Sequence, residues 1–448
     1  MKLRKLSLLL LAGFVSLNLM AEGYQINSQS SRQVGMGHLG TALRLGSESM
    51  LFNPAGLSFM ESKIELSFGA NAIFSKVKYT NGAFSTESDN PIGTPIFGYV
   101  GYKLSDKFFA GVSITNPVGN SLVWPDNWAG AHHVQNISLK AFSVQPTISY
   151  KISDQLSIGA GLMVDFGSFA LERALTRMGA LAPIGVLVPT YKPILDMYAN
   201  VPSVTAKLEG ESEIGIGFNA GILYTPNDKL SIGISYRSKV MMEVSSGTAT
   251  VSYAGPEMQA LITGINTMMP GTVPIPPIDG KNFSASLPIP SNLNVGVAYK
   301  TSEKLLLSAE IQYVGWSAYE NLTIQFGSDA GNLKLVSNKN FKNTAIYRFG
   351  GEVYASDKFT WRFGAIYDTT PVDKMLYSPE TPGANKFSLT TGMTYKVSKA
   401  IAIDAALQGL CGQKIKGYVP ETWNPNVNFF GEYKSTALIP SLGLKINF

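Results

Sequence analysis

The chain has 448 residues, of which only 15% are charged, well below the roughly 25% of an ordinary soluble domain, and glycine fills 44 positions. With 45% apolar and 11% aromatic residues, it is too hydrophobic for a disordered chain. Beyond the N-terminus no run of 18 or more apolar residues offers a membrane helix. What remains is a soluble all-β protein or a membrane β-barrel, whose strands turn one side to lipid and the other to a polar lumen.

Met1 to Ala21 reads as a secretory signal, with Lys2, Arg4 and Lys5 as the charged start and Leu6 to Val15 as the apolar core. Removing it lowers the basic count from 36 to 33 against 31 acids. The mature chain then carries only a small positive charge, which excludes the concentrated basic face of a nucleic-acid partner. Residues 22–62 follow and do not alternate. They hold Gly35, Gly37, Gly40, Gly46 and Gly56, and the run Leu51-Phe52-Asn53-Pro54-Ala55-Gly56-Leu57. Asn53 before Pro54 is an N-cap and first-turn pair, so a short helix is expected there. Met36, Leu39, Leu43, Leu45, Met50 and Phe52 mark the segment as packed. A segment that cannot join a barrel wall can fill its lumen as a plug, or hatch.

From Lys63 to Phe448 the pattern has period two. Ile64, Leu66, Phe68, Ala70, Ala72 and Phe74 share one face; so do Leu156, Ile158, Ala160, Leu162, Val164 and Phe166, and Phe359, Trp361, Phe363, Ala365 and Tyr367. Each run has the length that crosses a bilayer when tilted. Six tyrosines, Tyr102, Tyr150, Tyr224, Tyr299, Tyr354 and Tyr395, each close a run before a short polar turn of Ser, Asn or Asp. Tyrosines at strand ends form an interfacial girdle. Seven longer segments lie between these turns: about 75–93, 115–136, 173–213, 245–290, 327–341, 368–386 and 414–428. Six turns and seven loops connect fourteen strands, with both ends on the short-turn side. A propeller would need an even blade repeat, whereas the tyrosines are spaced unevenly. The final alternation from Leu438 to Phe448 suits recognition by barrel-assembly machinery through Phe448. The expected fold is an all-β transmembrane antiparallel barrel of 14 strands, with an N-terminal plug at 22–62 and the wall at 63–448.

The chemistry of an enzyme is missing. Cys411 is the sole cysteine and His38, His132 and His133 are the only histidines. No nucleophile elbow, nucleotide loop or metal-ligand spacing appears, so the expectation is a protein without catalysis, cofactor or metal.

The sequence resembles the FadL/TodX family of outer-membrane transporters of long-chain fatty acids and aromatic hydrocarbons. The residues that carry the likeness are Glu22-Gly23-Tyr24-Gln25-Ile26-Asn27, the triplet Asn53-Pro54-Ala55, Ala220 to Tyr224, Ile234 to Lys239, Phe341-Lys342-Asn343 and Tyr347-Arg348. The resemblance implies a plugged monomeric barrel that passes hydrophobic small molecules, among outer-membrane lipid and lipopolysaccharide, sideways into the bilayer. For the exit, the residues themselves offer Thr115-Asn116-Pro117-Val118-Gly119-Asn120 at the end of strand three. Proline removes a ladder donor and glycine admits a bulge, so pairing should break at Asn116, Pro117 and Gly119. A plain strand end is the other reading. For capture, two long loops are unusually apolar: Leu187, Ile194 and Leu195 in one, and Met258, Leu261, Ile262, Met268 and Met269 in the other. They either bind ligand or pack together as a lid. The resemblance implies a basic partner for a fatty-acid carboxylate at Arg173, with Lys342 as a second candidate; a rim role beside Glu172 is the alternative for Arg173. No lysine stands near Leu322 and Thr323, where the family carries another basic contact, which leaves uncharged hydrocarbons open as ligands. A different class of function, a barrel serving as shuttle or assembly partner in protein secretion, fits the same composition.

Overall fold

The computed structural model describes residues 23–82, 84–419 and 429–448. The signal segment lies outside the described residues, as does most of the last expected loop. The chain forms one closed antiparallel barrel of fourteen wall strands. Nine strands consist of two segments separated by a short break. They are β1 (Ile64–Asn71 and Phe74–Asn81), β2 (Phe84–Glu87 and Ile96–Lys103), β3 (Phe108–Thr115 and Gly119–Val123), β4 (Asn136–Lys151) and β5 (Leu156–Ala174). Next come β6 (Val204–Glu211 and Gly215–Tyr224), β7 (Leu230–Arg237 and Val240–Tyr253), β8 (Asn282–Ile289 and Asn292–Ser302), β9 (Leu305–Val314 and Asn321–Phe326) and β10 (Lys334–Asn338 and Thr344–Tyr354). The wall ends with β11 (Phe359–Asp368), β12 (Lys386–Lys396), β13 (Ile401–Gly412 and Ile415–Val419) and β14 (Phe429–Asn447). Closure is direct: β1 pairs with β14 from Glu65↔Asn447 to Asn71↔Ser441, and again from Phe74↔Leu438 to Thr80↔Glu432. The closed ladder removes the free edges of an open sheet, while among the described residues short upper segments such as Lys334–Asn338 and Ile415–Val419 pair on one side alone.

The wall is inverted relative to a soluble core. Phe68, Val112, Ile148, Phe218, Ile234, Phe349 and Leu442 are exposed on the outer face, while the buried inner face carries Ser113, Gln145, Asn219, Arg348, Glu352 and Arg362. Only lipid outside and a filled lumen inside make that arrangement favourable. The short turns share one device. Ser105, Ser153, Asn227 and Ser398 each accept two backbone N–H bonds that begin the next strand.

Two expectations need correction. Tyr354 does not join the girdle: it faces the lumen and donates to Glu352 at 2.8 Å. In its turn the serine follows the tyrosine by two residues, not three, and a slip of one residue reverses every side chain. Much of the expected loop sequence is also wall. Segments 75–93, 115–136, 173–213, 245–290 and 327–341 each contain paired strand residues such as Val204–Glu211 and Asn282–Ile289. Above the lipid the ladder persists while the outer face turns polar, so the two-residue period disappears. Among the described residues the true loops carry three α-helices, α3 (Ala182–Leu187), α4 (Lys192–Met197) and α5 (Pro256–Met268), following two short plug helices, α1 (Ser31–Val34) and α2 (Ser49–Phe52).

Candidate functional site

The plug sits in the short-turn half of the lumen and is held by hydrogen bonds to wall side chains. Glu310 of β9 accepts from the backbone of Gly40 and Thr41 at 3.1 and 2.9 Å, and its other oxygen pairs with Arg348 at 2.9 Å. Arg32 of the plug meets Glu352, which also receives Arg362. Asn53 caps the 3₁₀ turn Pro54–Phe59 by accepting from Ala55 N–H, and its amide donates to Thr41 C=O at 2.7 Å and to Ile222 C=O of β6 at 3.0 Å. Ala55 C=O accepts from Ser149 and Ser157. The triplet Asn53-Pro54-Ala55 is therefore the point where the plug is fastened to β4, β5 and β6. Gly233 lies directly against the Thr41 carbonyl, where a β-carbon would collide.

Residues 24–29 run along β3 where that strand is interrupted. The β2–β3 ladder stops at Gly98↔Ile114. Beyond it Asn116 replaces backbone pairing with its side chain, accepting from Ile96 N–H at 2.9 Å and donating to Ala141 C=O at 3.0 Å. The two strands next meet at Asp89 N–H and Val123 C=O. Pro117 has no N–H to give. The plug takes over: Ile26 N–H donates to Pro117 C=O, Gly119 N–H donates to Tyr24 C=O, and the Gln29 amide bonds both backbone groups of Asn116. A side chain at Gly119 would run into Ile26.

Of the cavities along the lumen, three bear on the site. The first, about 480 Å³, is lined by Leu171, Leu208, Leu322, Ile324 and Leu335, with Arg173 and Glu380 among its polar groups. Leu322 also borders a small apolar cavity of about 40 Å³ between Val118, Leu139, Phe169, Met242 and Val244. The third, about 220 Å³, reaches from Ile26 and His38 of the plug to Asn90, Gly119 and Leu122 at the interruption.

The sequence-nominated residues divide accordingly. Arg173 lines the large cavity; Lys342 does not, its ammonium exposed and 3.5 Å from Asp373. Among the loop residues, Met258, Leu261 and Ile262 are buried with Leu181, Ile265 and Val273, and Ile194 and Leu195 pack against them. Leu187, Met268 and Met269 face outward, Leu187 being 80% exposed. The enclosed and the exposed apolar positions are thus different residues of the same loops. Sequence reasoning missed Lys339, which is buried against Glu380 and Ser378 beside the large cavity. Burial raises the Glu380 pKa, but Lys339 outweighs it and holds the carboxyl below its ordinary range. A lone lysine among loop asparagines gave no signal. His132 meets the Phe429 ring edge-on and His133 packs against it at a tilt. Among the described residues no group of three metal-ligating side chains forms.

A closed lipid-facing barrel with a seated plug and a chain of lumen cavities defines an outer-membrane channel protein. The chain belongs to the family described as "Outer membrane protein transport protein (OMPP1/FadL/TodX)", whose profile matches residues 12–448, and its place is the bacterial outer membrane. It is similar to the "Long-chain fatty acid transport protein" of Salmonella typhi, 24% identical over 92% of each chain, and to that of Escherichia coli O6:H1, 25% identical over 92% of each. In fold it is similar to a Pseudomonas aeruginosa FadL homologue (TM-score 0.79, 19% identity, 95% of this chain and 100% of that one). The Pseudomonas putida toluene transporter TodX shares the fold (TM-score 0.70, 16% identity, 96% and 99% covered).

Proposed function

We propose that the protein is a passive channel for hydrophobic small molecules, either long-chain fatty acids or aromatic and aliphatic hydrocarbons. The observation that carries this reading is the coincidence of the third cavity with the unpaired stretch between β2 and β3. Ligand first rests on the exposed tips around Leu187, Met268 and Met269. It then enters the large cavity, whose volume falls within the ~300–1,000 Å³ of small-molecule sites. Arg173 there supplies a planar charged donor for a carboxylate. Movement of residues 24–29 away from β3 joins the cavities, and the ligand leaves sideways past Asn116, Pro117 and Gly119. The relatives named as fatty acid and toluene transporters support this class of substrate.

The test is uptake of labelled oleate and of toluene by cells lacking their own transporter. Uptake of either, abolished by closing the slot at Gly119, supports the channel. Absence of both with the barrel correctly inserted would overturn it in favour of a role as partner in protein secretion.

A further inference from the structure

The outer face of the wall distributes its charge unevenly. On β14 the outward apolar positions run from Phe448 to Leu438. At roughly 3.4 Å per residue and a tilt near 40° this spans about 26 Å, the height of the apolar band of an outer-membrane barrel. The next outward positions therefore stand at the level of the outer head groups. There, on four adjacent strands, lie Lys414 and Lys416 of β13, Lys434 and Glu432 of β14, Lys76 and Lys78 of β1, and Glu87 of β2. They alternate with lumen-facing Val77, Tyr79 and Tyr433, so they point outward. Across the barrel, β5 to β7 carry Glu172, Glu209, Glu211 and Glu243 against Lys207.

The basic group is not neutralised internally. Glu87 is shared by Lys76 and Lys78 at 3.8 and 3.9 Å, and Glu432 by Lys414 and Lys416 at 3.8 and 3.9 Å. These are long, exposed contacts of little strength. Lys78 stands directly opposite Lys434 in the ladder, an arrangement that is unfavourable unless an anion lies between them. Among the described residues no carboxylate pairs with Lys434. Lysine binds phosphate as a point charge, and the lipid of the outer leaflet is a phosphorylated glycolipid. We infer that Lys76, Lys78, Lys434, Lys414 and Lys416 form a binding site for the phosphates of lipopolysaccharide on the outer face of β13, β14, β1 and β2. The site borders the β2–β3 interruption, and it stands whether or not the protein transports hydrocarbons.

The experiment uses the full-length folded barrel in micelles and measures retained lipopolysaccharide by native mass spectrometry. The variants are a Lys76→Gln, Lys78→Gln, Lys434→Gln triple, the same three positions as arginine, and Glu209→Gln with Glu211→Gln on the opposite face. The glutamine triple is expected to weaken binding by at least about tenfold, since each basic residue near an anionic lipid surface contributes comparably. The arginine triple and the opposite-face variant should bind as the parent does. Dephosphorylated lipopolysaccharide should bind the unaltered protein as poorly as the intact lipid binds the glutamine triple. Equal binding of the phosphorylated and dephosphorylated lipid by the unaltered protein overturns the site, whatever the variants do. Displacement of the lipid by millimolar inorganic phosphate would overturn the lipid assignment.

Discussion

In the periplasmic half of the lumen the inward positions are Glu310, Gln145, Arg348, Glu352, Arg362 and Asp404, and the plug meets Glu310 with the Gly40 and Thr41 N–H groups, Gln145 with the Met50 C=O and Glu352 with Arg32. In the extracellular half the same faces of β5, β6, β8 and β9 become Leu171, Leu208, Phe283, Leu322 and Ile324. Trp124 and Trp128 stack there at 4.1 Å, and Tyr79 packs edge-on against Trp128. One wall thus presents two solvents. A hydrogen-bonded interface can exchange its partners for water at modest net cost, so it suits an object that must be seated firmly and still move. An apolar surface has no such exchange and is satisfied by an apolar occupant.

That contrast can be broken at several points. The largest effect is expected for Gly119→Trp, which fills the slot beside Ile26. The barrel should still show its heat-modifiable gel shift, while uptake of labelled oleate and toluene falls to background; normal uptake would refute sideways release. Next, Glu310→Ala removes the oxygen that accepts from both Gly40 and Thr41 N–H and leaves Arg348 without its ion pair. A hydrogen bond to a charged group contributes about 1.5–3 kcal/mol, and the plug loses two of them, while the broken pair with Arg348 lies between β9 and β10 of the wall. Conductance across planar bilayers should rise sharply; a channel as closed as the parent would mean the plug is held elsewhere.

Arg173→Met tests the upper solvent. A hydrogen bond to a charged group contributes about 1.5–3 kcal/mol, so oleate affinity should fall at least about tenfold while toluene binding is unchanged. Equal loss for both ligands would show that Arg173 shapes the cavity instead of reading a carboxylate. A smaller effect follows from Asn53→Ala, whose lost cap is worth about 1 kcal/mol in addition to its bonds to Thr41 and Ile222. Thermal unfolding of the plug, followed by hydrogen exchange at residues 53–59, should move to lower temperature.

The smallest effect concerns pH. Burial, aided by the nearby Arg348 charge, lowers the His38 pKa to about 4. The unfolded imidazole takes up its proton first, so the stability His38 contributes is complete above about pH 6.5. It declines as pH falls toward 4. Hydrogen exchange at the plug should quicken over that window, and His38→Asn should remove the dependence.

The local rules set by residue type and spacing were legible. Period two and tyrosine-closed turns are short-range patterns, and they were enough to specify fourteen strands, their alternation and the side on which the ends lie. Asn53-Pro54 announced its capped turn because both effects act within three residues. Even the inward Tyr354 was written in its shortened turn. What only the tertiary structure decided concerns contacts across the barrel: that Asn116 stands in for two ladders, that Lys339 finds Glu380, and that Met258 is enclosed while Met268 is exposed. It also decided that Lys342 faces solvent while Arg173 faces a cavity. Charge and hydropathy state what a side chain tolerates, and the closure of a fourteen-strand wall determines which neighbour, lipid or lumen it receives.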